Sequence, residues 1–189
     1  MIVTELWHYP VKSLRGNRLQ TARLTATGFE HDRRWMVVDA GGNMVTQRTV
    51  PRMAALAAQA MGGVLRLADP ARPGDICRVP LTFDAEPREV RVWSDRVLAR
   101  PTHPAAHAWL TRSLGVECTL VESIERRSEL AEVAFPDDAP ITIASEASLA
   151  ALNATLKTPV TMARFRPNIV VDGDGAWDEE RWTRVRVGF

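Results

Sequence analysis

The chain has 189 residues, 46% hydrophobic and 25% charged, enough for one large domain or two small ones around a buried core. A formal net charge of +1 counts against a dedicated nucleic-acid binder, which carries a clearly basic face. Its two cysteines, Cys77 and Cys118, stand far apart in no C-x-x-C arrangement, so neither a disulfide framework nor a zinc site is expected. No charged-then-apolar leader opens the chain and no apolar run approaches a membrane span, so the sequence reads as soluble and cytoplasmic, with no membrane partner.

Residues 2–8 mix apolar and polar positions with β-branched side chains and predict a first strand. Tyr9-Pro10-Val11-Lys12-Ser13-Leu14-Arg15-Gly16 follows it. Pro10 fixes its own φ and pushes Tyr9 into an extended conformation, so the segment leaves the strand and stiffens. An ammonium, a hydroxyl and a guanidinium then share a short rigid ledge suited to an anion, because charge-assisted hydrogen bonds to phosphate are strong, and the plain alternative is a solvated turn. Lys12 and Lys157 are the only lysines, against 22 arginines, so a lysine here stands out.

A second strand is expected over 19–27, ended by Gly28. Asp32-Arg33-Arg34 offers a second cationic point at the mouth of a buried strand, 35–39. Its plain alternative is a surface salt bridge of little worth. Ala40-Gly41-Gly42-Asn43 turns the chain into 44–48. Residues 53–61 lean to strand, since Gly62-Gly63 before 64–68 reads as a hairpin. A loop is expected over 69–80, strands over 81–83 and 89–93, and a turn at 94–96 into a strand over 97–100.

Pro104–Leu114 is expected to be a helix, with proline at its start and Gly115 past its end. His103 and His107 stand four apart on it, but no acidic or thiol partner accompanies them, so they read as structural. Cys118 reads as an inert buried thiol in a strand over 116–121. Residues 122–139 read as a domain boundary or mobile loop, dividing a β-rich domain over 1–121 from an incomplete one over 122–189. In the second part a short strand, 140–144, precedes Ser145, which can cap a helix over 146–156 with Leu149, Leu152 and Leu156 on one face. An extended stretch at 160–163 leads to Arg164-Phe165-Arg166-Pro167-Asn168, then to a buried strand. A helical turn over 177–182 and an alternating strand over 184–189 follow. That last strand has no neighbour to pair with, and an exposed edge is a hazard, which implies a longer parent protein.

Five marks now stand in order: Tyr9-Pro10-Val11-Lys12-Ser13; Asp32-Arg33-Arg34-Trp35; Gly42 to Arg48 before Pro51-Arg52; Ser145-Glu146-Ala147-Ser148-Leu149; and Phe165-Arg166-Pro167-Asn168-Ile169. Together they resemble the molybdenum-cofactor-binding MOSC proteins with a MOSC N-terminal β-barrel domain, the group that includes the mitochondrial amidoxime-reducing component and its bacterial counterparts. The resemblance implies a mainly β fold with a few helices (α+β), an N-terminal β-barrel-like domain followed by the first part of a MOSC barrel. It implies a molybdenum cofactor, a molybdopterin whose terminal phosphate meets Lys12, Ser13 and Arg33, with Arg166 and Asn168 at the same cleft. It also implies oxygen-atom transfer from a small N-hydroxylated substrate, fed by an iron–sulfur or flavin partner or domain. The family's metal-ligating cysteine is expected beyond Phe189, so no metal ligand or catalytic residue is assigned within the chain. The alternatives are a sulfur-carrier or sulfurtransferase MOSC protein and a non-catalytic β-barrel binding module. A pyridoxal phosphate link fits poorly, since Lys12 on a phosphate ledge is ill suited to a Schiff base.

Overall fold

The structure, a computed structural model, describes residues 1–25, 27–124, 135, 139–173 and 175–186. The strands are β1 (Val3–His8), β2 (Asn17–Leu19), β3 (Leu24–Thr25), β4 (Gly28–Phe29), β5 (Trp35–Val38), β6 (Ala57–Met61) and β7 (Val64–Ala68). They continue as β8 (Ile76–Pro80), β9 (Arg88–Val92), β10 (Asp95–Pro101), β11 (Thr119–Ser123), β12 (Ile143–Ser145) and β13 (Ile169–Val171). Among the described residues two α-helices, α1 (Pro104–Leu114) and α2 (Glu146–Thr155), complete a mainly β fold. The chain packs as two compact units: a central one of residues 8–17 and 23–140, and a terminal one of 1–7, 18–22 and 141–189.

In the central unit an antiparallel sheet runs in the order β5-β11-β10-β9, and β6-β7-β8 form a separate meander. All four residues of β5 are buried. Because side chains alternate along a strand, Trp35 and Val37 enter one apolar cluster with Leu14, Met53, Leu67 and Leu110. Met36 and Val38 enter another with Val90, Val92, Val121 and Phe135. Burial on both sides explains the unbroken Trp-Met-Val-Val run. Helix α1 closes the first cluster with Ala106, Trp109, Leu110 and Leu114. His103 Nδ1 accepts the Ala105 amide at 3.1 Å at its start, and Gly115, at φ 72°, ends it.

The terminal unit holds the sheet β12-β13-β1-β2, with β13 antiparallel to β1 and parallel to β12. Ser145 Oγ accepts the Ser148 amide at 3.0 Å and caps α2 as expected. The leucine face of α2 is only partly covered: Leu149 and Leu152 are half-buried and Leu156 is 39% exposed.

Several elements differ from the sequence reading. The expected strand over 19–27 is instead two short pieces, and Gly28 begins β4 rather than ending a strand. Residues 76–80 are strand, not loop, because β7 supplies a full antiparallel partner. Pro80 closes that pairing at the strand end, where a missing N–H is tolerated. Residues 81–83 are not strand, and Pro51–Ala55 forms a 3-10 turn before β6. Met162–Arg164 is a 3-10 turn rather than extended, and 184–186 form no strand. The loop expected over 122–139 lies mostly outside the described residues, as do 187–189.

Candidate functional site

Residues 9–12 run beside 33–35, joined by main chain. Arg33 N donates to Tyr9 O at 2.8 Å, Trp35 N to Pro10 O at 3.1 Å, and Lys12 N to Trp35 O at 2.7 Å. The two cationic motifs, far apart in sequence, are thus neighbours in the central unit. Asp32 reinforces the junction: its buried carboxylate accepts the Tyr9 amide at 2.6 Å and pairs with the Arg33 guanidinium. That guanidinium lies 4.6 Å from the centroid of the Tyr9 ring. The ring also packs on Gly16, where an added Cβ would collide with it, so the glycine that ends the motif is needed for space.

Beyond Val11 the chain turns, closed by Leu14 N to Val11 O at 3.1 Å. Ser13 occupies the third turn position at φ 67°, which ordinarily favours glycine or asparagine. Lys12 is only 6% exposed, and its Nζ donates to Phe135 O at 2.9 Å. The Phe135 amide donates to Arg33 O at 2.8 Å. With its ring fully buried in the second cluster, Phe135 ties both motifs to the core.

A third arm comes from residues 42–48. Gly42 and Met44 bond to β9 through Arg91, which carries the segment to the ledge. There Gln47 Nε2 donates to Ser13 O at 2.8 Å. The Arg48 guanidinium lies 5.1 Å from the centroid of the Trp93 ring, and Lys12 Nζ lies 5.9 Å from the same centroid. Lys12, Ser13 and Arg33 therefore belong to one cluster with Tyr9, Asp32, Gln47, Arg48, Trp93 and Phe135.

Backbone strain gathers in the same place. Among the described residues six non-glycines have positive φ: Ser13, His31, Arg33, Trp93, Arg166 and Trp177. Each such residue costs ~1–2 kcal/mol, and such strain collects at functional sites. Four of the six belong to this cluster or, for His31, adjoin it. Burial pushes the His8 and His31 imidazoles below their usual range; the Asp32 charge opposes this for His8 and the Glu30 charge for His31. Arg34 pairs at 2.6 Å with Glu122, whose carboxylate is buried, so its bridge is more than a surface pair.

Arg166 and Asn168 belong to the terminal unit. Arg166 is half-buried at φ 55°. Asn168 is fully buried, and its side chain binds main chain at both ends: Oδ1 accepts the Thr142 amide at 3.2 Å and Nδ2 donates to Trp7 O at 3.3 Å. Its own amide and carbonyl bond to Thr142 O and Trp7 N, both at 2.8 Å. The side chain chosen for ligand contact thus joins β1 to the residues before β12.

His103 and His107 are structural. His103 caps α1, while His107 Nε2 sits 3.1 Å from Leu120 O and 3.3 Å from Thr102 Oγ1. No group of three or more His, Cys, Asp or Glu side chains among the described residues could hold a metal ion. Burial raises both thiols, Cys118 beside Thr111 and Cys77 against the start of α1. No helix among the described residues is long and apolar enough to cross a membrane.

Phe135 and Trp93 escaped the sequence reading because nothing local marks them: Phe135 lies 123 residues from Lys12. Tyr9, Asp32, Gln47 and Arg48 stood within the quoted motifs, but their roles emerge only from the pairing.

Residues 1–117 match the MOSC N-terminal beta barrel domain, and residues 131–188 match the MOSC domain. The chain is 35% identical to mitochondrial amidoxime-reducing component 1 of Xenopus laevis, over 99% of this chain and 60% of that protein. It is 30% identical to mitochondrial amidoxime reducing component 2 of Bos taurus, over 98% of this chain and 60% of the relative. A molybdenum cofactor sulfurase of Oryza sativa subsp. japonica is 27% identical, over 95% of this chain and 25% of that protein. The chain thus spans about three-fifths of the length of the amidoxime-reducing relatives.

Proposed function

The chain belongs to the MOSC family and is a molybdenum-cofactor-related protein, and from that membership we propose that its parent is an oxidoreductase reducing N-hydroxylated compounds. One observation carries the reading: Lys12, Ser13 and Arg33 are gathered by main-chain pairing around the buried Phe135. A buried ammonium, a hydroxyl-bearing turn and a guanidinium form a donor set that fits an anionic group such as a pterin phosphate. Strained backbone at Ser13 and Arg33 is what a preformed cradle requires.

When bound, the cofactor supplies two-electron redox chemistry and oxygen-atom transfer. The residues here bind and orient it. Lys12 and Arg33 would hold the phosphate, with Asp32 and the Tyr9 ring fixing the Arg33 fork. Arg166, in the terminal unit, is a further candidate cation, on an arm that Asn168 keeps rigid through Trp7 and Thr142. An electron-donating iron–sulfur or flavin partner, acting in the cytoplasm, completes the turnover.

Sulfur transfer is the second reading, favoured by the rice sulfurase relative. Burial raises both thiols here, so neither Cys77 nor Cys118 is primed to carry the sulfur itself. The deciding experiment is molybdenum and pterin analysis of the intact protein, with reduction of an aryl amidoxime by a reduced donor. Bound cofactor and amidoxime reduction, with cofactor lost in Lys12→Ala and Arg33→Ala, are expected. An intact protein holding neither molybdenum nor pterin would overturn the reading.

A further inference from the structure

Arg48 is exposed, and its guanidinium makes no hydrogen bond or ion pair with the described residues. It is nevertheless held. Its guanidinium carbon lies 5.1 Å from the centroid of the Trp93 ring, and Gln47 before it is fastened to Ser13 O. A ring contact offers no acceptor oxygen, so the guanidinium keeps its five N–H donors for an anion. A pre-oriented planar fork is the geometry that binds carboxylate and phosphate with two parallel hydrogen bonds.

Trp93 supports the same reading independently. β9 and β10 pair up to Val92 and Asp95, so Trp93-Ser94 is a two-residue hairpin turn. Trp93 takes its first position at φ 54°, where glycine is ordinarily favoured. The residue also remains 45% exposed. The hairpin alone would be better served by glycine, which relieves strain and exposes no indole. Lys12 Nζ lies 5.9 Å from the same centroid, so two positive charges are held around one ring.

We propose that Arg48, laid on Trp93, is a second oxyanion-binding fork beside the Lys12–Arg33 ledge, taking a carboxylate or a phosphate group. Such a fork goes beyond molybdenum chemistry and does not require it. It gives the site a place for a second negative group, whether on a cofactor or on a substrate.

The test uses the intact protein labelled with 15N-arginine, the Arg48 Nε–Hε resonance being assigned by its loss in Arg48→Gln. Inorganic phosphate and benzoate are titrated separately, and the tighter probe identifies the preferred group. A saturable shift of the Arg48 resonance is expected. Trp93→Ala should weaken it about fivefold, the worth of one exposed cation–π contact, while Trp93→Phe retains most of the affinity. In Lys12→Ala the Arg48 response should persist, even where the ledge itself fails to bind pterin. A resonance that answers neither probe overturns the fork. So does an affinity unchanged in Trp93→Ala, since an Arg48 that merely shields the indole would behave that way. A response lost with Lys12 means one shared site, and overturns a second.

Discussion

The two cation-bearing arms are held by opposite means. In the central unit Lys12 and Arg33 rest on apolar packing: β5 is buried on both faces and Phe135 on all sides. In the terminal unit the Arg166 arm rests on polar stitches. Asn168 joins Trp7 and Thr142, while Glu179 accepts Ser148 Oγ at 2.8 Å and the Ser145 amide at 3.3 Å. Packing is lost in proportion to volume removed, whereas a polar stitch fails with one atom, because its buried partner is then orphaned.

The sharpest way to break this contrast is Trp35→Ala. Removing a fully buried indole from the first cluster should cost ~3–5 kcal/mol, read by denaturant unfolding. Hydrogen exchange should accelerate through β5 and β11. Next comes Asn168→Ala, which leaves the Thr142 amide and Trp7 carbonyl without its side chain and should cost ~1–3 kcal/mol. Its exchange effect should stay in β1 and β13. Spread of that effect into β5 would show that the two arms are not held separately.

A smaller change sharpens the contrast further. Ser13→Gly relieves a positive φ and should raise stability by ~1 kcal/mol while lowering pterin retention. A stabilised variant with full retention would mean that the strain is incidental.

The smallest effect separates the units on the pH axis. All four histidines lie in the central unit, and burial lowers His8, His31 and His107. Between the unfolded value near 6.5 and the lower folded ones, the unfolded chain binds more protons. Stability there rises with pH, so acidification through ~6.5 should loosen the central unit first. The terminal unit carries Asp172, lowered by hydrogen bonds from the Ile2 and Gly173 amides. It also carries Glu179, where burial acts upward but Ser148 and Ser145 prevail. Their contribution is present above the ordinary carboxylate range near ~4 and lost only as pH falls through it. Residue-resolved exchange at near-neutral, mildly acid and more acid pH checks the order of loosening.

Much of this was legible from local signals. Pro104 and Gly115 bracket α1 at the residues expected, and Ser145 caps α2, because caps act within one turn. The apolar run of β5 announced a buried strand. Strand β8 was hidden, since only Val79 among its five residues is fully buried and its pairing comes from β7. Lys12 and Arg33 could be named from their motifs, but the joint between them could not. It depends on Phe135 and on left-handed backbone at Ser13 and Arg33, neither of which has a local signature. Asn168 was recognised as special for its amide, and that amide turns out to bind main chain.

The partnership of β1 with β13 sets a timetable for synthesis. Val3 pairs with Val171, so β1 must wait for β13, far downstream in the chain, to leave the ribosome. At ~5–20 residues per second that wait is about ten to thirty seconds. The central unit's pairings close within residues 8–140, so it can consolidate while β1 still has no mate. β1 therefore stands unpaired longer than the strands of the central unit, and slowed elongation between β11 and β13 should lengthen that exposure.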